Sequence, residues 1–466
     1  MNRVIWQCGI VVALCLSFHA AFDDIMMNEF AMSLVLLVIY LNFQGQRQGV
    51  NTITKLNDRL VFYYDISSRI ASRQTFQAIA IKIRNIDEIN HRNNYKIGDE
   101  VLFRFARELE KLIKGSVAFH TSGATFVIVC SLKGDEDGES NIETVQSFID
   151  GGIECVNQNF KLECNIVSYI SDAAESDVDK VYAKLEYAVY YTSSNNLAVH
   201  RFSQADVDRM ERERYIASRI AHIDREHGYE VWLQPTFCTR KNNFCSAEAL
   251  LRIREPDGGF ISPLEIITAA EENGKIYDIT KFVITEVADF LAANPELSAL
   301  NVSINMPMPL ISKQEIADEF MNIIDERGID HSRIIFEFTE RTIPSDINQV
   351  RESMRRMTEK GYRFFLDDFG VGYSNFAGLI KLPFDSIKLD SSICQKVENR
   401  RATFRVVSVL TGLFHSMQLS VVAEGIETES QLACLTEIGV DRIQGYYYAR
   451  PMCMTDTKKF LMEKGY

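Results

Sequence analysis

From Tyr229 onward, short apolar runs alternate with longer stretches whose apolar positions repeat at helical spacing. The runs that read as strands are Glu230–Gln234, Ser246–Arg252, Leu300–Ile304, Ile334–Phe338, Phe364–Asp368, Ser386–Leu389, Ser420–Glu424 and Arg442–Gln444. Amphipathic stretches such as Gln314–Arg327, Val350–Lys360 and Ala402–Met417 fill most of the gaps. Strands regularly separated by helices predict an α/β fold with a TIM-type (β/α)8 barrel. Residues 50–203 read as a separate α/β unit. Its helices are expected over Asn57–Arg73, Val101–Leu112, Thr144–Val156 and Val178–Tyr191, and its strands over Phe76–Ile83, Phe126–Cys130 and Leu162–Ile170. The charged stretch Asp206–Arg225 reads as a helix, so residues 204–228 form a helical connector to the barrel at 229–466.

Residues 1–46 are patterned differently. Val4–Phe22 and Phe30–Phe43 are largely apolar and are separated by a polar break that includes Asp23, Asp24, Asn28 and Glu29. The first run has the roughly 20 residues a membrane span needs, and the second is short. Arg3 before the pair and Arg47, Lys55 and Arg59 after it predict a hydrophobic helical hairpin in the membrane with both termini in the cytoplasm. A cleaved signal peptide ending near Ala20-Ala21 is the competing reading, and interfacial placement of the second run is another.

Apolar content of 46% with 24% charge is that of a folded protein, and a net charge of −14 argues against a nucleic-acid polymer as partner. The ten cysteines show no Cys-x-x-Cys and no zinc spacing, so they read as reduced thiols.

The candidate chemistry lies near the ends of the barrel strands. In order, these positions are Gln234, Glu248, Asn301, Glu337, Asp367, Lys388, Glu424 and Gln444. Active sites of this fold gather where its strands end. A carboxylate at the end of a buried strand is costly unless neutralised. Glu248, Glu337, Asp367, Asp368 and Glu424 against Lys388 leave a charge of about −4, which two divalent cations would balance. An oxygen-rich donor set favours Mg2+ or Mn2+ over zinc. Taken singly, each of these residues has a bland reading as a capping, turn or solvated group. Gathered at one mouth, they read as a site.

These residues sit in motifs that resemble the EAL domain, the bacterial phosphodiesterase that linearises cyclic di-GMP. The motifs are Leu233-Gln234-Pro235, Glu248-Ala249-Leu250-Leu251-Arg252, Asn301-Val302-Ser303, Glu337-x-x-Glu340, Asp367-Asp368-Phe369-Gly370, Lys388-Leu389-Asp390, Glu424-Gly425-x-Glu427-Thr428 and Gln444-Gly445-Tyr446. The resemblance implies that Glu248, Asn301, Glu337 and Asp367 hold one metal, and that Asp367 bridges to a second held with Asp368 and Glu424. It also implies catalytic roles for Lys388, Glu424 and Glu248. Substrate contacts would come from Gln234, Arg252 and Gln444, and Glu340 and Glu427 would stand behind the ligands. Active relatives usually read Thr where Val371 stands, in a loop that couples homodimer formation to the second metal.

Residues 50–203 more faintly resemble a GGDEF domain, the diguanylate cyclase fold. The resemblance rests on Leu185-Glu186-Tyr187-Ala188-Val189-Tyr190-Tyr191, Ile89-Asn90 and Gly98-Asp99. The signature turn reads Ser122-Gly123-Ala124-Thr125-Phe126, and Lys82-Ile83-Arg84 stands where the family has Asp-x-Asp. Ala, Thr, Lys and Arg cannot hold the two divalent cations that synthesis needs, so this unit reads as degenerate and regulatory and argues against a bifunctional enzyme. The expectation for the whole chain is a membrane-anchored, homodimeric phosphodiesterase converting cyclic di-GMP to pGpG. The alternative is an inert cyclic di-GMP receptor or protein-binding scaffold.

Overall fold

The computed structural model describes residues 49–132, 138–172, 175–340, 347–370 and 381–465. The hairpin expected over 1–46 and Val371 lie outside them. Among the described residues no helix is long and apolar enough to cross a membrane. The chain forms two compact units that divide between Glu211 and Arg212.

The first unit is built on a six-stranded sheet. Its central strand, Phe76–Ile83, runs antiparallel to Thr125–Ser131 on one side and Cys164–Ile170 on the other. Side-chain alternation along that strand serves two cores. Ile79, Ile81 and Ile83 pack with Val101, Phe105 and Leu109 of helix Tyr95–Leu112. Ala78 and Ala80 pack with Phe62, Ile66, Val181 and Leu185 from helices Arg59–Ala71 and Val178–Ser194. Asp58 starts the first of these helices by accepting from the Leu60 and Val61 N–H groups at 2.9 and 3.2 Å. The expected helix over Thr144–Val156 is instead Glu139–Gly151, and Ile153–Cys155 is a strand. Gly152, at φ +73°, stops the helix there.

Among the described residues, the second unit has a nine-stranded sheet, in which Met452–Cys453 pairs with Trp232 and Leu233 of an eight-stranded closed barrel. Its strands are β1 (Tyr229–Cys238), β2 (Asn243–Ile253), β3 (Asn301–Asn305), β4 (Ile334–Thr339), β5 (Arg363–Phe369), β6 (Ser386–Leu389), β7 (Ser420–Ala423) and β8 (Arg442–Ile443). Strands β2 to β8 are neighbours in order and parallel, and β1 closes the ring. The expected barrel needs one correction, because β1 runs antiparallel to both β2 and β8. Residues 239–242 alone join β1 to β2. A parallel crossover needs a dozen residues or more, so this link makes a hairpin. Helices Ile276–Ala293, Gln314–Asp325, Asn348–Glu359 and Arg401–Ser416 surround the strands and share one apolar core with them.

Candidate active site

Strand alternation selects the side chains that enter the barrel mouth. Glu248, Glu337, Asp367, Lys388 and Gln444 are all buried there, with Lys388 only 2% exposed. Lys388 Nζ lies 2.6 Å from Glu424, 2.8 Å from Glu337, and 3.2 Å from both Glu248 and Asp367. Oxygens of Glu248, Glu337 and Asp367 approach within 4.8 Å of one another, close enough to share one ion. Asp367 and Asp368 fall at an irregularity in the pairing of β5 with β6. Asp368 has φ +56°, unusual for a residue with a side chain, and its N–H donates to Asp367 Oδ1 at 2.9 Å. A bulge that re-aims two adjacent carboxylates stores strain at a site and not in the core.

Asn301 is not in this ring. It opens β3, and its amide donates to the Cys245 carbonyl at 3.4 Å. The amide at the mouth belongs to Asn305, which donates to Glu248 Oε1 at 3.1 Å and pairs in register with Glu337. Both asparagines face the same way, but four residues of strand separate them by about 13 Å. The structure therefore brings Asn305, and not the expected Asn301, to the acids. The end of the apolar run, just before Met306-Pro307, was the available signal.

Gln234 lies within β1, opposite Glu248, and not at a parallel strand's end. Gln444 donates to Glu248 Oε2 at 2.6 Å and to Gln234 Oε1 at 3.3 Å, and accepts from the Thr236 hydroxyl at 3.0 Å. These amides steer Glu248, with Thr236 behind them. Gly445 allows the close approach this requires, since a Cβ there would meet the Ile426 backbone at 2.2 Å. The capping box of Thr428 and Gln431 anchors the loop after β7. Glu340 accepts from the Gly370 N–H at 3.3 Å and so tethers the start of the loop after β5. Glu427 is exposed, and its backbone N–H donates to Gln431 at 2.9 Å. Arg252, half-buried, lines a cavity of about 460 Å³ with Asn305, Glu337 and Asp368.

Burial decides the protonation of the cluster. It pushes Glu337 up to about 8, with Glu248 and Asp367 adding to the shift and Lys388 opposing it. It also raises Asp367 and holds Glu424 well above the ordinary carboxylate range. In Glu248 burial is outweighed by Lys388 and Gln444, and the carboxyl falls below its usual value. Burial would lower Lys388, but the four carboxylates around it win and the ammonium stays charged. One lysine does not neutralise this many acids. The donor set, carboxylates with one amide and no thiol or imidazole, fits hard divalent cations.

In comparisons with known proteins, residues 220–451 match the EAL domain and residues 49–195 match the diguanylate cyclase, GGDEF domain. The chain is 27% identical over 387 residues to an uncharacterized signaling protein of Caulobacter vibrioides, an alignment covering 82% of this chain and 47% of that one. It is 23% identical to the cyclic di-GMP phosphodiesterase NbdA of Pseudomonas aeruginosa, covering 89% of this chain and 54% of the relative. It is 30% identical to the cyclic di-GMP phosphodiesterase PdeL of Escherichia coli over 228 residues, 48% of this chain and 63% of the relative. The chain thus spans about half the length of several curated relatives it matches. A solved structure of the EAL enzyme Bd1971 in its cAMP- and cyclic-di-GMP-bound form shares the fold, with a TM-score of 0.51 and 20% identity over 73% of this chain and 82% of that one.

Proposed function

We propose that the chain is a metal-dependent phosphodiesterase that hydrolyses cyclic di-GMP to linear pGpG. The observation that carries this reading is the buried ring of carboxylates around Lys388, which is costly to fold unless it serves to hold cations. The names of the similar phosphodiesterases NbdA and PdeL support the choice of substrate.

Glu248, Asn305, Glu337 and Asp367 would hold one Mg2+ or Mn2+, and Asp367, Asp368 and Glu424 a second. Cations so held would offset phosphate charge and make an attacking water more acidic. Lys388, held at the centre of the acids, would orient that water and stabilise negative charge developing on the phosphoryl oxygens. Glu424, the acid nearest Lys388 at 2.6 Å, would take the water's proton. Arg252, in the adjoining cavity, would bind a phosphate of the dinucleotide. Gln234 and Gln444 would keep Glu248 aimed, with any substrate contact secondary to that.

The first unit would be regulatory. At its hairpin, Lys82 of the central strand pairs with Thr125, and Ala124 sits in the turn, so carboxylates are missing where a cyclase needs them. Membrane anchoring through residues 1–46 and assembly as a homodimer belong to the same proposal. Cyclic di-GMP incubated with the full chain and Mg2+ should become pGpG, and Glu248→Gln should abolish the conversion. Tight binding without conversion would favour the inert receptor.

A further inference from the structure

Arg212 is the first residue of the second unit. Arg212 and Ile216 of helix Gln204–Arg219, and Ile220 just beyond it, recur every four residues and so share a face. Ile216 and Ile220 pack in one buried cluster with Ile266 and Ala270 of the short helix Pro263–Glu272, and with Ile279. Arg212 grips the same short helix at Glu265. Its Nε donates to Oε1 at 2.9 Å and its Nη2 to Oε2 at 3.0 Å, while Nη1 binds Glu255. Glu265 is the third residue of that helix, and its Oε2 also accepts from the Ser262 N–H at 3.2 Å, which closes a capping box. One carboxylate thus starts the helix and fastens it to the connector.

This helix is also a wall of the cavity that holds Arg252. Leu264, Ile266 and Ile267 line the cavity, as does Ile279. Ile266 and Ile279 are buried, whereas Leu264 and Ile267 are exposed, an apolar surface that a ligand covers on binding. The helix has ten residues. So short a helix does not hold itself in place, and its position comes from what it is fastened to.

We propose that Arg212 is a positioning residue for substrate, fixing the helix Pro263–Glu272 so that Leu264 and Ile267 meet cyclic di-GMP bound at Arg252. This rests on the phosphodiesterase reading of the barrel. A guanidinium fork fixes direction as well as distance, which the single ammonium of a lysine does not. Glu255 and Glu265 lie outside the ring around Lys388, so substrate affinity and not the chemical step depends on the clamp.

The test compares the full chain with its Arg212→Gln and Arg212→Lys variants in turnover of cyclic di-GMP with Mg2+, in amide hydrogen exchange and in thermal unfolding. Arg212→Gln should raise KM by about 3–10-fold, the loss expected when a preorganised wall is released. Its kcat should stay near wild type, and amides of residues 263–272 should exchange faster. Arg212→Lys should fall between the two, and it decides the matter should Arg212→Gln fail to fold. A lower unfolding midpoint with KM unchanged overturns the proposal, because Arg212 would then hold only the fold. A fall in kcat with KM unchanged overturns it as well. If the wild type binds cyclic di-GMP without converting it, the dissociation constant takes the place of KM. A wild type that neither converts nor binds it defeats the phosphodiesterase reading itself, and this proposal with it.

Discussion

At the scale of single residues, the site turns on Lys388 and on which asparagine faces it. Lys388→Met would strand four carboxylates without their cation. Breaking a buried ion pair costs about 3–5 kcal/mol, so the metal-free protein should unfold at lower denaturant concentration. Turnover should also fall by about 10²–10³-fold, the loss typical of a removed transition-state donor. Asn305→Ala should weaken divalent-cation binding and turnover by about 10–100-fold, while Asn301→Ala should leave both near wild type. Calorimetric Mn2+ titration of the two variants measures this directly, and equal losses would restore Asn301 to the site. The acids and Lys388 were legible in the sequence because each ends or nearly ends a short apolar run, and parity then fixes the face. Asn301 and Asn305 share both strand and parity, so only position along the strand separates them, and Asn305, not Asn301, ends the apolar run.

At the scale of elements, the strands force the acids into one dry mouth, and pH should report it. Glu337 and Glu424 bind their protons more tightly folded than unfolded, chiefly through burial. Their contribution to stability is therefore fully present below the ordinary carboxylate range and is lost as pH climbs toward about 8, the value for Glu337. Chemical denaturation in chelator should thus show less stability at pH 8 than at pH 5, apart from other groups' titration, and saturating Mn2+ should flatten the slope. A metal-free protein whose stability rises steadily over that range would contradict the assigned burial of charge. The helices and parallel strands of the barrel were readable from their alternating periods. The direction of β1 was not, because the strand ends read from the sequence leave residues 235–245 as the link, and the structure shortens it to 239–242. The bulge at Asp367 and Asp368 was not, because two adjacent acids at a strand end look the same with or without it.

At the scale of the molecule, the chain couples an acid-lined barrel to a unit whose corresponding turn lacks acids. The full chain carrying Glu248→Gln, given GTP and Mg2+, should produce no cyclic di-GMP, and chromatography showing its formation would overturn the regulatory reading of the first unit. Strand Val117–Ser122, half of the hairpin that carries this turn, was not foreseen, since its short mixed run gives no clear alternation. On the proposed reading, divalent cations complete the ring of acids around Lys388. The most direct measurement follows cyclic di-GMP by chromatography with the full chain in Mg2+, in chelator, and with Glu248→Gln. Conversion to pGpG in Mg2+ alone is the predicted result. Substrate that stays intact in all three, with Mn2+ bound and the protein folded, would contradict it.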